Sequence, residues 1–134
     1  MSDFADLFAP QGGWRVRIRD HSGGAEEGIV EEIGGFPTLM QANAFARAYV
    51  RDSIERCREA SARNADAGTI LAAWRAFGED AEIVAGGEAG FRSESECADF
   101  VAQPASAEAR DWRALDPRQD ADGDADGDND EDGA

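Results

Sequence analysis

The 134-residue chain contains no lysine, a single histidine, two cysteines and no apolar run that approaches a membrane span. Each shortage removes a class of chemistry. With His21 alone, in a turn sequence, there is no histidine cluster for a metal and no second imidazole for a proton relay. Cys57 and Cys97 lie 40 positions apart with no Cys-x-x-Cys pair, which excludes thiolate zinc and dithiol redox motifs. Both continue apolar helix faces, so buried free thiols are expected. A membrane-spanning helix needs about 20 apolar residues, and the opening MSDFADLFAPQGG has neither a charged leader nor an apolar run of secretory type. A cytoplasmic location is expected. The glycine pairs at 12–13, 23–24, 34–35 and 86–87 read as turn punctuation, with no P-loop and no GxGxxG after a strand, so no cofactor is implied. One acidic corner, Gly78-Glu79-Asp80 with Glu82, stands beside Trp74 and Phe77. Buried carboxylates there would suit acid–base work, but a helix end followed by acids is ordinarily solvated. An enzyme is not expected, and no catalytic, cofactor-binding or metal-binding residue is assigned.

What is abundant is acid. Arginine supplies all 13 positive charges against 29 carboxylates, a formal charge of -16. Residues 1–115 carry 20 acids and 12 arginines, and residues 116–134 carry 9 acids and Arg118, so each part is net -8. A chain this acidic repels nucleic acid and anionic membrane, which makes a basic protein surface the expected partner. The segment 116–134 has no aromatic or branched aliphatic residue and is expected to be disordered. Its Asp-x-Asp-x-Asp run fits an EF-hand loop from Asp122 only as far as Gly127, because Gly133 stands where the bidentate glutamate belongs.

Phe36 to Arg58 is the segment with the clearest pattern. Thr38 and Gln41 have capping-box spacing, and Pro37 disfavours helix at Phe36. Leu39, Ala42, Phe45, Ala46, Tyr49, Val50, Ile54 and Cys57 recur at three- and four-residue steps, one apolar stripe of an amphipathic helix. Asn43, Arg47, Arg51 and Glu55 lie opposite, with Asp52-Arg56 and Glu59-Arg63 as further pairs on a face expected to be solvated. Upstream, Trp14 to Asp20 alternates strictly, with Trp14, Val16 and Ile18 on one face and Arg15, Arg17 and Arg19 on the other. With a second strand over 27–33 it forms an antiparallel hairpin. The arginine stripe suits an oxyanion clamp, but Glu26, Glu27, Glu31 and Glu32 on the neighbouring strand favour cross-strand neutralisation.

Farther along, Asp66 caps a short helix carrying Ile70, Leu71, Trp74 and Phe77, which Gly78 ends in a left-handed stop. Ala81 to Ala85 reads as a brief strand. Phe91-Arg-Ser93-Glu-Ser-Glu96 then repeats the Phe36 to Gln41 pattern, so that 14–58 and 81–102 read either as two degenerate strand-turn-helix units or as coincidence of caps and core aromatics. A last helix is expected over Ala105 to Leu115. The fold class is α+β: an N-terminal arm over 1–13, then one domain over 14–115. In it a small antiparallel sheet (the hairpin plus a short second strand pair) is packed by two capped amphipathic helices and additional short helices. The acidic tail follows.

Three functions fit these observations. The first is a non-enzymatic protein-interaction or regulatory module. The second is an acidic inhibitor that mimics nucleic acid towards a basic groove. The third is nucleic-acid contact through Arg15, Arg17, Arg19, Arg47 and Arg51, the candidate partner-binding residues, if strand and helix place them on one face.

Overall fold

A computed structural model describes residues 10, 12–22 and 28–118. The expected arm over 1–13 therefore lies outside the described residues except at Pro10, Gly12 and Gly13, as do Glu26, Glu27 and residues 119–134 of the tail. The described chain runs on to Arg118, so the first three residues of that expected tail are described.

Strict alternation makes Trp14–Asp20 a strand, β1, and it pairs antiparallel with β2, Ile29–Phe36. Pairing runs Trp14 with Phe36 and then Val16 with Ile33, so Gly34 and Gly35 together oppose Arg15 in a bulge. Only glycine suits this place well, because Gly35 sits at φ +91°. The third strand, β3, is Glu79–Ile83. It joins the other edge of β1, giving the antiparallel order β2-β1-β3. The expected second strand pair is thus one strand added to the hairpin: β1 still had an edge to pair, and Ala81 and Ile83 bring apolar side chains to the same face as Val16 and Ile18.

One helix covers that face. α1, Leu39–Ala60, starts at Thr38, whose hydroxyl oxygen accepts from the Gln41 N–H at 3.1 Å. Leu39, Ala42, Phe45, Ala46, Val50 and Ile54 are buried against the sheet, and Tyr49 and Cys57 are half-buried at its margin. α2, Ala67–Phe77, is capped by Asp66 accepting from the Thr69 N–H at 2.8 Å. It adds Ile70 and Trp74 to the core, and α3, Cys97–Ala102, adds Cys97, Phe100 and Val101.

Several local expectations fail for identifiable reasons. Gly78 ends α2 at φ -83° rather than in the left-handed region; glycine is needed because a Cβ there would lie 2.2 Å from Trp74 Cδ1. Ser93 does not cap a helix. Its hydroxyl donates to Asp80 Oδ2 at 3.0 Å, Ser93–Ser95 forms a 3-10 turn, and α3 begins only at Cys97 with no side-chain cap. The second unit therefore matches the first in sequence outline but not in geometry. In place of a helix over 105–115 there is a 3-10 turn, Trp112–Leu115, and the Ala105 N–H donates to Glu55 at 3.0 Å. Trp112 packs on Phe45 and Tyr49 at centroid distances of 5.9 and 5.0 Å, whereas Leu115 is exposed. α1 stops at Ala60, so Arg63 lies outside it and Glu59 pairs instead with Arg110 at 2.9 Å.

Candidate partner-binding surfaces

The face of α1 expected to be solvated is instead the ladder that holds the second half of the chain. Asn43 donates to the Ala89 carbonyl at 2.9 Å and accepts from the Phe91 N–H at 2.8 Å. One turn on, Arg47 makes two hydrogen bonds to the Glu96 carboxylate, at 2.9 and 3.1 Å, with its guanidinium 5.3 Å from the Phe91 ring centroid. Arg51 donates to the Gln103 carbonyl at 3.0 Å and lies 4.7 Å over Phe100. Glu55 and Arg58 complete the run through Ala105, Phe100 and Val101. A four-residue step keeps one side of a helix aligned, and here it grips a strap over 89–105 made of the turn Ser93–Ser95, the short helix α3 and the backbone on either side.

Arg15, Arg17 and Arg19 stand on the sheet face away from α1, since Val16 and Ile18 between them are fully buried. Arg17 meets Glu32 at 3.0 Å and Glu82 at 3.3 Å, and Arg19 meets Glu82 at 3.0 Å. The Glu32 hydrogen bond, with the charges of Glu32 and Glu82, outweighs burial and raises the Arg17 pKa. Cross-strand neutralisation holds as expected for Glu32. Glu82, from the third strand, is a partner the hairpin pattern could not reveal, and Glu31 turns instead to Arg118, at 2.6 Å. The five candidate arginines therefore fall into two groups, three on the outer sheet face and two beneath the strap. They do not form one surface.

The acidic corner also divides. Glu79 accepts from the Tyr49 hydroxyl, and burial together with this hydrogen bond raises the Tyr49 pKa. Asp80 is the more enclosed: it accepts from Ser93 and from the Ala81 N–H at 2.8 Å. His21 Nε2 lies 4.0 Å from its Oδ2. Burial pushes the Asp80 pKa up, against the Ser93 and Ala81 hydrogen bonds and His21, with Glu82 adding to the rise. Asp80, Glu82 and Ser93 line a groove of about 420 Å³ along β3. Ser93→Ala is expected to cost about 1–3 kcal/mol by removing a donor from this carboxyl. In a double-mutant cycle with Asp80→Asn the coupling should be at least about 0.5 kcal/mol. Zero coupling in urea titrations would mean that the Ser93–Asp80 hydrogen bond is not the source of the loss.

Burial raises the Cys57 thiol pKa; Cys57 is half-buried, Cys97 is buried, and both are free. Among the described residues no group of three or more His, Cys, Asp or Glu could hold a metal ion, and no helix is long and apolar enough to cross a membrane.

A second groove, of about 500 Å³, has a lining that is more apolar than polar. Phe36 and Pro37 form its floor, Met40 and Ala44 on the first turns of α1 one wall, and Leu115 and Pro117 the other. Met40 is 66% and Leu115 43% exposed. The far wall is fixed where Arg118 pairs with Asp116 and Glu31; the Asp116 hydrogen bond is the chief reason the Arg118 pKa is raised. Nothing local in the sequence marks this groove, because residues 116–118, like the rest of the acidic tail, include no aromatic or branched aliphatic residue, and Leu115 has the spacing of a helix anchor.

The described residues carry 17 acids and 13 arginines, net -4, so -12 of the formal -16 belongs to the remainder, residues 1–9, 11, 23–27 and 119–134. The chain matches no protein-family model, and searches of curated proteins and of solved structures return no match.

Proposed function

We propose that this protein is a non-enzymatic protein-interaction module that takes an apolar segment of a partner into the groove between α1 and the turn Trp112–Leu115. The observation that carries the reading is that Met40 and Leu115, both large, apolar and exposed, line one groove. Exposed apolar surface gathered in a concavity and rimmed by polar groups, here Gln41 and Asp116, is characteristic of recognition sites. The partner's surround is basic. Carboxylates concentrated after Arg118 steer such a partner by long-range attraction, while the nearly balanced body supplies the contact. The same distribution weakens the nucleic-acid-mimic reading, because mimicry would rest on residues 119–134 and not on the folded surface.

The test is a benzophenone amino acid at Ala114, which is exposed and lines the groove, in the full chain within an extract of its source. One protein should crosslink, and Leu115→Asp should reduce its yield about tenfold, the equivalent of 1.4 kcal/mol. A probe at Phe77, exposed elsewhere, should not capture it. Equal capture from both positions would overturn the proposal.

A further inference from the structure

The chain itself contains a segment with the chemistry this groove selects. We infer that, when no partner is bound, the groove is filled by the chain's own Phe4, Leu7 and Phe8, and that a partner enters with an amphipathic segment of the same pattern. This rests on the groove being the partner site.

Three observations carry the inference. The first is where the chain leaves the body. Gly13 packs on the backbone of Gly35 and Phe36, so closely that a Cβ on it would lie 2.9 Å from the Phe36 carbonyl oxygen. Gly35 and Phe36 line the groove. The Gly13 N–H donates to the Pro10 carbonyl at 3.0 Å, so Pro10 too lies close to this same end of the sheet. The second is reach. Nine residues precede Pro10, enough for about 30 Å if extended, and the groove wall is adjacent. The third is pattern. In Met1-Ser-Asp-Phe4-Ala-Asp-Leu7-Phe8-Ala, Phe4, Leu7 and Phe8 have the three- and four-residue spacing of an amphipathic segment, with Asp3 and Asp6 outside that pattern. A tethered segment meets its site at an effective concentration in the mM range, so even a weak contact is populated. A partner then competes against it and binds with an affinity reduced by the fraction of closed groove.

The methionines make this testable in the intact protein, because Met1 and Met40 are the only two. With ¹³C-methyl methionine, the Met40 methyl resonance should carry a ring-current displacement that disappears in Phe4→Ala/Leu7→Ala/Phe8→Ala. Adding the free nine-residue peptide to that variant should restore the displacement saturably and should leave the wild type unchanged. Tenfold dilution should not alter the wild-type resonance. A displacement lost on dilution would assign the contact to a second copy and overturn the inference, as would identical Met40 resonances in wild type and variant. The Ala114 crosslink separates this from the proposed function. Its yield should rise severalfold in the triple variant. Capture of the partner without any Met40 displacement leaves the groove reading standing and removes the resident segment. A Met40 displacement with no capture from either chain does the reverse.

Discussion

Replacing Glu55 by alanine is expected to cost about 3–5 kcal/mol, the range for removing one member of a buried ion pair. Glu55 is 5% exposed. Its carboxylate accepts from Arg58 Nε at 2.8 Å, from Arg58 Nη2 at 3.0 Å and from the Ala105 N–H at 3.0 Å. Arg58 in turn donates to the Phe100 and Val101 carbonyls. Alanine would strand a largely covered guanidinium and release the strap at its far end. Burial alone would raise the Glu55 pKa, but the hydrogen bonds from Arg58 and Ala105, with the charges of Arg58 and Arg110, outweigh it and hold the group below its ordinary 4.5. The sign follows. A carboxylate with a lowered folded pKa contributes stability that is full above about pH 4.5 and is lost as pH falls through the folded value. Urea unfolding should therefore show wild type well ahead of Glu55→Gln at neutral pH, with the gap narrowing in acid. A gap that does not change with pH would mean the charge is not its source.

Gly78→Ala should be comparably damaging, about 3 kcal/mol or more, at or beyond the usual cost of overpacking. The backbone angle is not the obstacle, since φ is -83°. The new methyl would lie 2.2 Å from Trp74 Cδ1 and 2.8 Å from Nε1, and the indole has nowhere to go. Trp74 is 3% exposed, donates from Nε1 to the Glu79 carbonyl at 3.1 Å and meets His21 edge-on at 4.7 Å. The Gly78 carbonyl also accepts from the His21 N–H at 2.8 Å, so a shift would propagate into β1 and β3. Gly68→Ala in the same helix is the control. Its added carbon would meet only Asp66 Oδ1, at 3.7 Å, and helix propensity predicts up to about 1 kcal/mol of stabilisation. Thermal melts of both variants test the pair; equal effects would contradict the steric account.

These two sites mark the boundary of what the sequence makes legible. Strand β1, the Thr38 and Asp66 caps and the stripe from Leu39 to Ile54 depend on neighbours a few residues away, and local pattern reveals them. Glu55 belongs to a regular polar face, and nothing local shows that residues 89–105 will lie across it. The same long-range packing takes Ser93 to Asp80 and Glu82 to Arg17, across 13 and 65 positions. The second groove was illegible for the same reason: its walls are 70 or more positions apart in the chain, at Met40 and Leu115, and meet only after the strap has wrapped α1.

The central position of β1 also sets an order in time. Its partner β2 begins at Ile29, only nine positions after Asp20, but β3 arrives only after α1 and α2 have been made. At about 5–20 residues per second during synthesis, the interval between Phe36 and Ile83 lasts on the order of several seconds. Through that interval one edge of β1 has no strand beside it, which is the condition under which nascent chains recruit each other. Arg15, Arg17 and Arg19 punctuate this edge with charge at every second residue. Charge spaced in this way along an unpaired strand disfavours its pairing with a second unfinished copy.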